Sequence, residues 1–223
     1  MLQGTLILLA SNSPRRKELM GLGEWTWSTY VPRVDETRLP GEPPREYVVR
    51  LARAKVRAAG EVASQQYYVV GADTAVADAD LVFGKPPDAA AAVRMLQQLR
   101  GHAHQVHTGI AVLDPASGRL LSDVCTTDVP MREYDDGEID EYVRSGDPFD
   151  KAGAYAIQHA GFRPVQGLHG CYASVMGLPL CHLLRLLTRL EVEPQSDLPS
   201  RCQTHLKYTC PVSSAILRGE QAG

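Results

Sequence analysis

The sequence predicts an α/β fold, and three observations carry that prediction. Leu6-Ile7-Leu8-Leu9-Ala10 is a run of five apolar residues, which reads as a strand buried on both faces. Ser11-Asn12-Ser13-Pro14 breaks the run and opens a helix. A second buried-type run, Tyr67-Tyr68-Val69-Val70-Gly71-Ala72, follows a long stretch of helical periodicity. A chain of 223 residues can hold one such domain with a substantial core.

The first strand and its turn organise the rest. Ser13 is a favourable N-cap, and Pro14 falls at the first helical position, where a missing N–H costs nothing. The first turn then carries Arg15, Arg16 and Lys17. Cations there oppose the helix dipole, and a bound anion removes the conflict. Free N–H groups, the hydroxyls of Ser11 and Ser13 and the two guanidiniums make a phosphate cradle. The plainer alternative is a solvated basic helix start.

The other elements follow in order. Residues 25–34 are β-prone with Pro32 near the end, as in an edge or bulged strand, and Asp35-Glu36 lie just beyond. After a Pro/Gly loop, a helix runs over 45–62. Tyr47, Leu51, Ala54 and Ala58 mark its apolar side, and Arg50, Arg53, Lys55 and Arg57 its basic side. The second buried strand terminates in Asp73-Thr74. A hairpin-like polar turn leads to Leu81-Val82-Phe83 and on to Gly84-Lys85-Pro86. Asp88 caps a helix through Leu99, stopped by Gly101. Residues 105–113 and 120–132 form an antiparallel pair, and Asp135-Asp136 starts an acidic-capped helix through Arg144. Residues 145–158 are dense in small side chains, as where a backbone approaches a ligand closely. Val165 and residues 172–175 read as short strands. The last helix, 180–190, is leucine-rich around most of its circumference and should be buried. The domain thus spans 1–191, and 192–223, without a clear period, reads as a poorly ordered tail or short appendage.

Bulk composition excludes several classes of function. Hydrophobic residues make up 44% and charged residues 22%, the balance of an ordinary soluble protein. A net charge of −3 offers no global field to nucleic acid, so phosphate recognition must be local. No stretch approaches the ~18 apolar residues of a membrane span. No basic region precedes a leader cleavage site. A cytoplasmic protein with neither membrane nor nucleic-acid partner is expected. The five cysteines contain no C-x-x-C pair, which argues against a disulfide framework or a zinc knuckle. Buried or free thiols are the default, with Cys202 and Cys210 in the tail leaving a small opening for another role.

Strand ends gather function in α/β folds. Here the candidates are cations (Arg15, Arg16, Lys55, Lys85, Lys151), a few carboxylates (Glu36, Asp73, Asp150) and Gln158. That ratio suits a polyphosphate bound with a divalent metal. Cations neutralise the phosphates, carboxylates hold hard Mg²⁺ or Mn²⁺ through oxygen, and a remaining carboxylate takes a proton from water. For Asp73 alone the plainer reading is a turn cap. His102, His104 and His107 cluster without a Cys or acidic partner, so histidines of a surface loop at a strand start are expected rather than zinc ligands. Ser11 and Ser13 do not sit in a nucleophile elbow, and Gly84-Lys85 lacks the upstream glycines of a Walker loop.

Four stretches together resemble the Maf family of nucleotide pyrophosphatases: Ala10-Ser11-Asn12-Ser13-Pro14-Arg15-Arg16 with Glu18-Leu19, Gly71-Ala72-Asp73-Thr74, Gly84-Lys85-Pro86, and Asp150-Lys151-Ala152-Gly153-Ala154-Tyr155-Ala156-Ile157-Gln158. The resemblance covers about 1–190 in order. It implies an elongated α/β fold with a mixed sheet and two lobes around a deep nucleotide-binding cleft, related in architecture to inosine triphosphate pyrophosphatases. It implies hydrolysis of a nucleoside triphosphate to monophosphate and pyrophosphate with a divalent metal (Mg or Mn), in a house-cleaning role and commonly as a homodimer. By the same resemblance Asp73 accepts the proton of the attacking water, and Glu36 helps Asp73 hold metal. Ser11, Arg16, Lys55 and Lys85 hold phosphates, while Arg15, Thr74 and Gln158 set substrate preference. Lys151 joins the substrate-binding set.

The stretch ending in Gln158 resembles the branch acting on dTTP and UTP. An amide offers the donor and acceptor that the imide edge of uracil or thymine needs, whereas the 7-methyl-GTP branch tends to carry Glu there. A departure follows: His159 and Ala160 stand where the family usually has a glycine first, and the added side chain is expected to narrow the base pocket or alter the loop. Two alternatives accompany this reading. One is 7-methyl-GTP hydrolysis, and the other is a low-turnover nucleotide-binding regulator of cell division.

Overall fold

The computed structural model describes residues 5–192, 196–220 and 222. Residues 1–4, within the stretch read above for a leader, and residues 193–195, 221 and 223 of the expected tail lie outside the described residues.

Strand β1 (Leu6–Leu9) runs parallel between β2 (Thr26–Thr29) and the long β3 (Tyr67–Asp78). On its other edge β3 pairs antiparallel with β5 (Ala103–Leu113), which pairs with β6 (Leu120–Pro130). The short β4 (Leu81–Phe83) folds back onto the far end of β3. The result is a six-stranded mixed sheet in the order β2-β1-β3-β5-β6, with β4 on β3. The α/β class and the mixed sheet are as the sequence predicts.

The register of β3 creates the cleft. Leu9, the last residue of β1, pairs with Val70, and β4 begins its pairing at Val76. Between those two points one edge of β3 has no neighbouring strand. Asp73 and Thr74 therefore lie within a continuous strand, not at its end as expected. They are uncovered because the adjacent strand stops. Sequence alone marks where an apolar run is interrupted, whereas the strand continues through the interruption because β5 holds its other edge from Val69 to Ala77.

Successive residues of β3 face opposite sides of the sheet. On one side lies α2 (Pro44–Gly60), whose Ala52, Val56 and Ala59 pack with Ala10, Val69 and Ala111. The helix can approach closely because Gly109 lacks a side chain: a Cβ there would come within 2.4 Å of the Val48 carbonyl oxygen. Its buried stripe is Val48, Leu51, Ala52, Lys55, Val56 and Ala59. Lys55 thus belongs to the buried stripe and not, with Arg50, Arg53 and Arg57, to the basic side on which the spacing puts it. On the other side, α5 (Tyr172–Met176) and α6 (Leu180–Arg189) cover Ile7, Leu9, Val70 and Ile110. Leu183, Leu186 and Leu187 of α6 are fully buried, each stabilising the fold by about 1.5–3 kcal/mol. Residues 172–175, expected as a strand, are this helix α5. The run is too short for hydrophobic period to separate the two forms.

A second apolar cluster forms around the far half of β3. There α3 (Ala89–Leu99) and α4 (Asp136–Arg144) contribute Leu96, Leu99, Ile139 and Tyr142 beside Val76, Phe83 and Phe162. Asp88 accepts the Ala91 N–H, and Asp135 with Glu138 forms a reciprocal capping box. The histidine cluster is not a surface loop. Only His102 is exposed, while His104 and His107 are buried within β5, bonded to the Tyr155 and Thr126 hydroxyls.

Beyond residue 192 the chain forms an appendage of two helices, α7 (Leu198–Leu206) and α8 (Ser213–Leu217). Leu198, Cys202 and Ile216 are buried there. Arg201 pairs with Glu24, and His205 with Glu18 of α1 (Pro14–Met20). No helix among the described residues is long and apolar enough to cross a membrane.

Candidate functional site

A cleft of about 650 Å³ opens where β1 ends, and the ten residues to which the resemblance assigns roles line it, with Ser13 and Asp150 beside them. The ten are Ser11, Arg15, Arg16, Glu36, Lys55, Asp73, Thr74, Lys85, Lys151 and Gln158.

Its floor is a buried ion pair. Gly71 and Asp73 lie on the same face of β3, two residues apart, and Gly71 leaves room for α2 to seat Lys55. Lys55 Nζ donates to Asp73 Oδ1 at 2.5 Å and lies 2.7 Å from Glu36 Oε1. Asp73 is 8% exposed, whereas Glu36 is largely in solvent. The Tyr47 hydroxyl donates to the Glu36 carbonyl and fixes that loop over α2.

Thr74 faces the other way and anchors a directed chain of hydrogen bonds. Arg16 Nη2 donates to Thr74 Oγ1 at 3.1 Å. Thr108 donates to the Ser174 carbonyl at 2.8 Å, so the 3.0 Å contact between the two threonines runs from Thr74 to Thr108. Arg16 also donates through Nε to the Gly177 carbonyl at 2.8 Å and through Nη1 to Ser11 Oγ. Burial pulls the Arg16 guanidinium below its ordinary value, opposed by the Asp73 charge. Ser13 occupies the N-cap of α1, but its side chain makes no cap bond, and its own N–H donates instead to Ser11 Oγ. The expected side-chain cap is therefore not made, and the first-turn N–H groups of α1 receive no side-chain acceptor from Ser13.

The opposite wall is the small-residue loop. Lys151 is buried, with Nζ bonded to the Asp147 carbonyl, to Asp147 Oδ1 at 3.0 Å and to Asp150 Oδ1 at 2.5 Å. Asp150 reaches across the cleft to Arg15 at 3.1 Å. Burial works against the Asp150 carboxylate, but Lys151 and Arg15 outweigh it and hold its carboxyl below the ordinary value. The Tyr142 hydroxyl donates to Asp147 and accepts the Ala156 N–H, pinning both ends of the loop. The Gly84 carbonyl accepts the Gly153 N–H at 3.2 Å, tying the loop to the exit of β4. Lys85 and Gln158 are exposed at the mouth, and Lys85 makes no ion pair among the described residues.

His159 does not narrow the cleft. Its ring lies 4.8 Å from that of Tyr142, and Nδ1 accepts the Phe162 N–H at 2.9 Å. The added side chain closes a turn behind the loop and leaves Gln158 facing the opening.

Sequence reasoning missed Thr108, Tyr142 and Gly177. Thr108 is one hydroxyl in an apolar strand, and only its pairing opposite Thr74 reveals its use. Gly177 has φ +105°, and a Cβ there would lie 3.2 Å from both Arg16 Nε and Thr74 Oγ1. Gly177→Ala is expected to destabilise the fold by about 1–3 kcal/mol, through backbone strain and displacement of Arg16, read as a lowered urea midpoint.

The donor set fits a hard divalent ion only in part from the protein. Lys55 gathers two carboxylates, Asp73 and Glu36. Among the described residues no three His, Cys, Asp or Glu side chains form a group that could hold a metal. Magnesium-type ions are bound in this way when one or two carboxylates are joined by substrate phosphates and water.

Comparison with known proteins gives a consistent result. The family described as Maf-like protein matches residues 6–190. The chain is 48% identical over 186 residues to a dTTP/UTP pyrophosphatase of Anaeromyxobacter dehalogenans, covering 82% of this chain and 93% of that one. It is 44% identical over 184 residues to proteins of the same name from Geotalea uraniireducens and Escherichia coli O157:H7. Each alignment covers 82% of this chain, with 94% and 92% of those chains. Among solved structures it is similar to a nucleoside-triphosphatase / dITP/XTP pyrophosphatase from Mycobacterium abscessus. That likeness has 17% identity over 84% of this chain and 94% of that one, with a TM-score of 0.40, too low to argue from. With the family matched across the whole cleft-bearing domain, the chain belongs to the Maf family.

Proposed function

We propose that the protein is a nucleoside triphosphate pyrophosphatase that hydrolyses dTTP and UTP to the monophosphate and pyrophosphate. The observation that carries this reading is the cleft itself. Its lining combines one buried carboxylate, Asp73, with a cationic first turn and an exposed amide, Gln158. The relatives named dTTP/UTP pyrophosphatase support the substrate class.

In this reading water attacks the α-phosphorus in line and pyrophosphate leaves. Asp73 takes the proton from the attacking water, with its carboxylate oriented by Lys55. Arg15, Lys85 and the N–H groups at the start of α1 face the β- and γ-phosphates, where negative charge grows. Arg16 and Ser11 shape that turn, and Lys151 holds the far wall through Asp150. Asp73 and Glu36 would hold a Mg or Mn ion carried with the triphosphate, which when bound neutralises the departing pyrophosphate. Thr74 and Gln158 set preference at the base end, the Gln158 amide presenting a donor and an acceptor to a pyrimidine imide edge.

The test is pyrophosphate release with Mg²⁺ or Mn²⁺ across canonical and modified nucleoside triphosphates. Release from dTTP and UTP with the monophosphate as co-product is expected. Release only from 7-methyl-GTP would keep the reaction and overturn the role of Gln158. Tight nucleotide binding with no product would favour a regulator. Gln158→Glu is expected to lower kcat/KM on dTTP and UTP by about 10- to 100-fold, because a carboxylate sets two acceptors against the base carbonyls. Unchanged kinetics would remove Gln158 from base reading.

A further inference from the structure

The appendage brings cysteines together that are far apart in sequence. Cys171, Cys181, Cys202 and Cys210 surround one small apolar cavity between α5, α6 and α7. Cys171 is buried at the N-cap of α5 and lines this cavity together with Cys210. Cys210 is only half-buried. Its Sγ lies 4.0 Å from the Gly170 carbonyl, the residue before Cys171. Two contacts fix it there. The Tyr208 hydroxyl accepts the Gly170 N–H at 3.3 Å, and the Cys210 N–H donates to Gln203 Oε1 at 2.9 Å. All five cysteines are free thiols. Cys210 also lies beyond the region the family matches.

We propose that Cys210 and Cys171 are a peroxide-responsive dithiol, whose oxidation closes a disulfide that staples the C-terminal appendage to α5. Cys210 is the partner that reacts first. It is the more accessible of the two, and hydrogen bonds from Cys171 and from the N–H groups of Val212 and Ser213 lower its thiol to about 6. Cys210 gives its proton to solvent, its thiolate attacks one oxygen of hydrogen peroxide, the O–O bond breaks, and the departing hydroxide takes a proton back from solvent and leaves as water. The resulting sulfenic acid faces Cys171. The Cys171 sulfur attacks the Cys210 sulfur, the S–O bond breaks, and the hydroxyl leaves with the Cys171 proton as a second water. Two thiols and one peroxide thus give one disulfide and two waters. The bond would form at one end of α5, whose other end, Gly177, holds Arg16. The inference does not rest on the reaction proposed for the cleft.

The experiment is titration of the folded full chain with hydrogen peroxide, followed by alkylation and peptide mapping without reductant. The expected result is a Cys171 peptide joined to a Cys210 peptide, two hydrogens lighter and separated by dithiothreitol. The appendage should at the same time become resistant to limited proteolysis between α7 and α8. Cys210→Ser should abolish the link and leave Cys171 reduced. A Cys125–Cys171 or Cys202–Cys210 bond, a link between two chains, or overoxidation of Cys210 without any bond would overturn the proposal. Should the variant fold poorly, the map of the wild-type chain decides alone.

Discussion

Asp73→Asn is expected to lower kcat by about 10²–10⁴-fold while leaving nucleotide affinity within a few-fold. The substitution keeps the side chain's shape and removes its basicity. Asp73 is almost fully buried, and its Oδ1 is held by Lys55, so the wild-type carboxylate is already oriented before substrate arrives. Asparagine retains an oxygen that Lys55 can donate to, and Lys55 keeps its contact with Glu36 at 2.7 Å. The fold should therefore survive, and the lost turnover would belong to the chemical step. Steady-state kinetics gives kcat, and calorimetric titration with a non-hydrolysable dTTP analogue gives affinity. Near-normal turnover in a clean preparation would remove Asp73 as the base. A parallel collapse of affinity would mean that the carboxylate acts chiefly in holding substrate and metal.

That expectation rests on positions the sequence gives more plainly than their surroundings. The turn after β1 is legible because its signals are local: an apolar run, a polar break, then Pro14 at the first helical position. The ten site residues are legible as types in order, and they converge on one cleft. Their environments are not legible. Nothing local shows that β1 stops at the level of Val70 while β3 continues to Asp78, which is what uncovers Asp73. Lys55 falls on the basic side of α2 in the sequence because it stands among arginines. It turns inward because Asp73 and Glu36 satisfy its charge, and only the packed sheet supplies them. The helices of the appendage are missed for a related reason. Its helices bury few side chains each, so their period is faint, and they are held by α6, by the Arg201–Glu24 pair and by the contact of His205 with Glu18 of α1.

The buried histidines lead to a second large effect, on stability as the solution is acidified. His104, His107 and His182 are each at most 4% exposed. Burial pushes each imidazole from 6.5 down to about 4. Arg45 adds to the shift at His107, His102 at His104 and Arg185 at His182, with Asp128, Asp78 and Asp123 opposing in the same order. His104 and His182 each also have a buried Nδ1 with no hydrogen-bond partner, a site that a proton would make a stranded donor. All three folded values are depressed, so the stability they confer is fully present above pH 6.5. Below that, the unfolded chain binds protons that the folded chain refuses. Stability should then fall by about 1.4 kcal/mol per pH unit for each histidine until pH 4 is reached. Three together give a loss of up to about 10 kcal/mol, comparable with the whole stability of a domain. Stability is therefore expected to fall between pH 6.5 and about 4, the window the three shifts define. Urea midpoints measured from pH 7.5 to 4.5 test this. His182→Met, which fills the same space in α6 without a titrating group, should reduce the slope by about one third. A midpoint that stays level through pH 5, or a slope unchanged in His182→Met, would show that these imidazoles accept protons while folded.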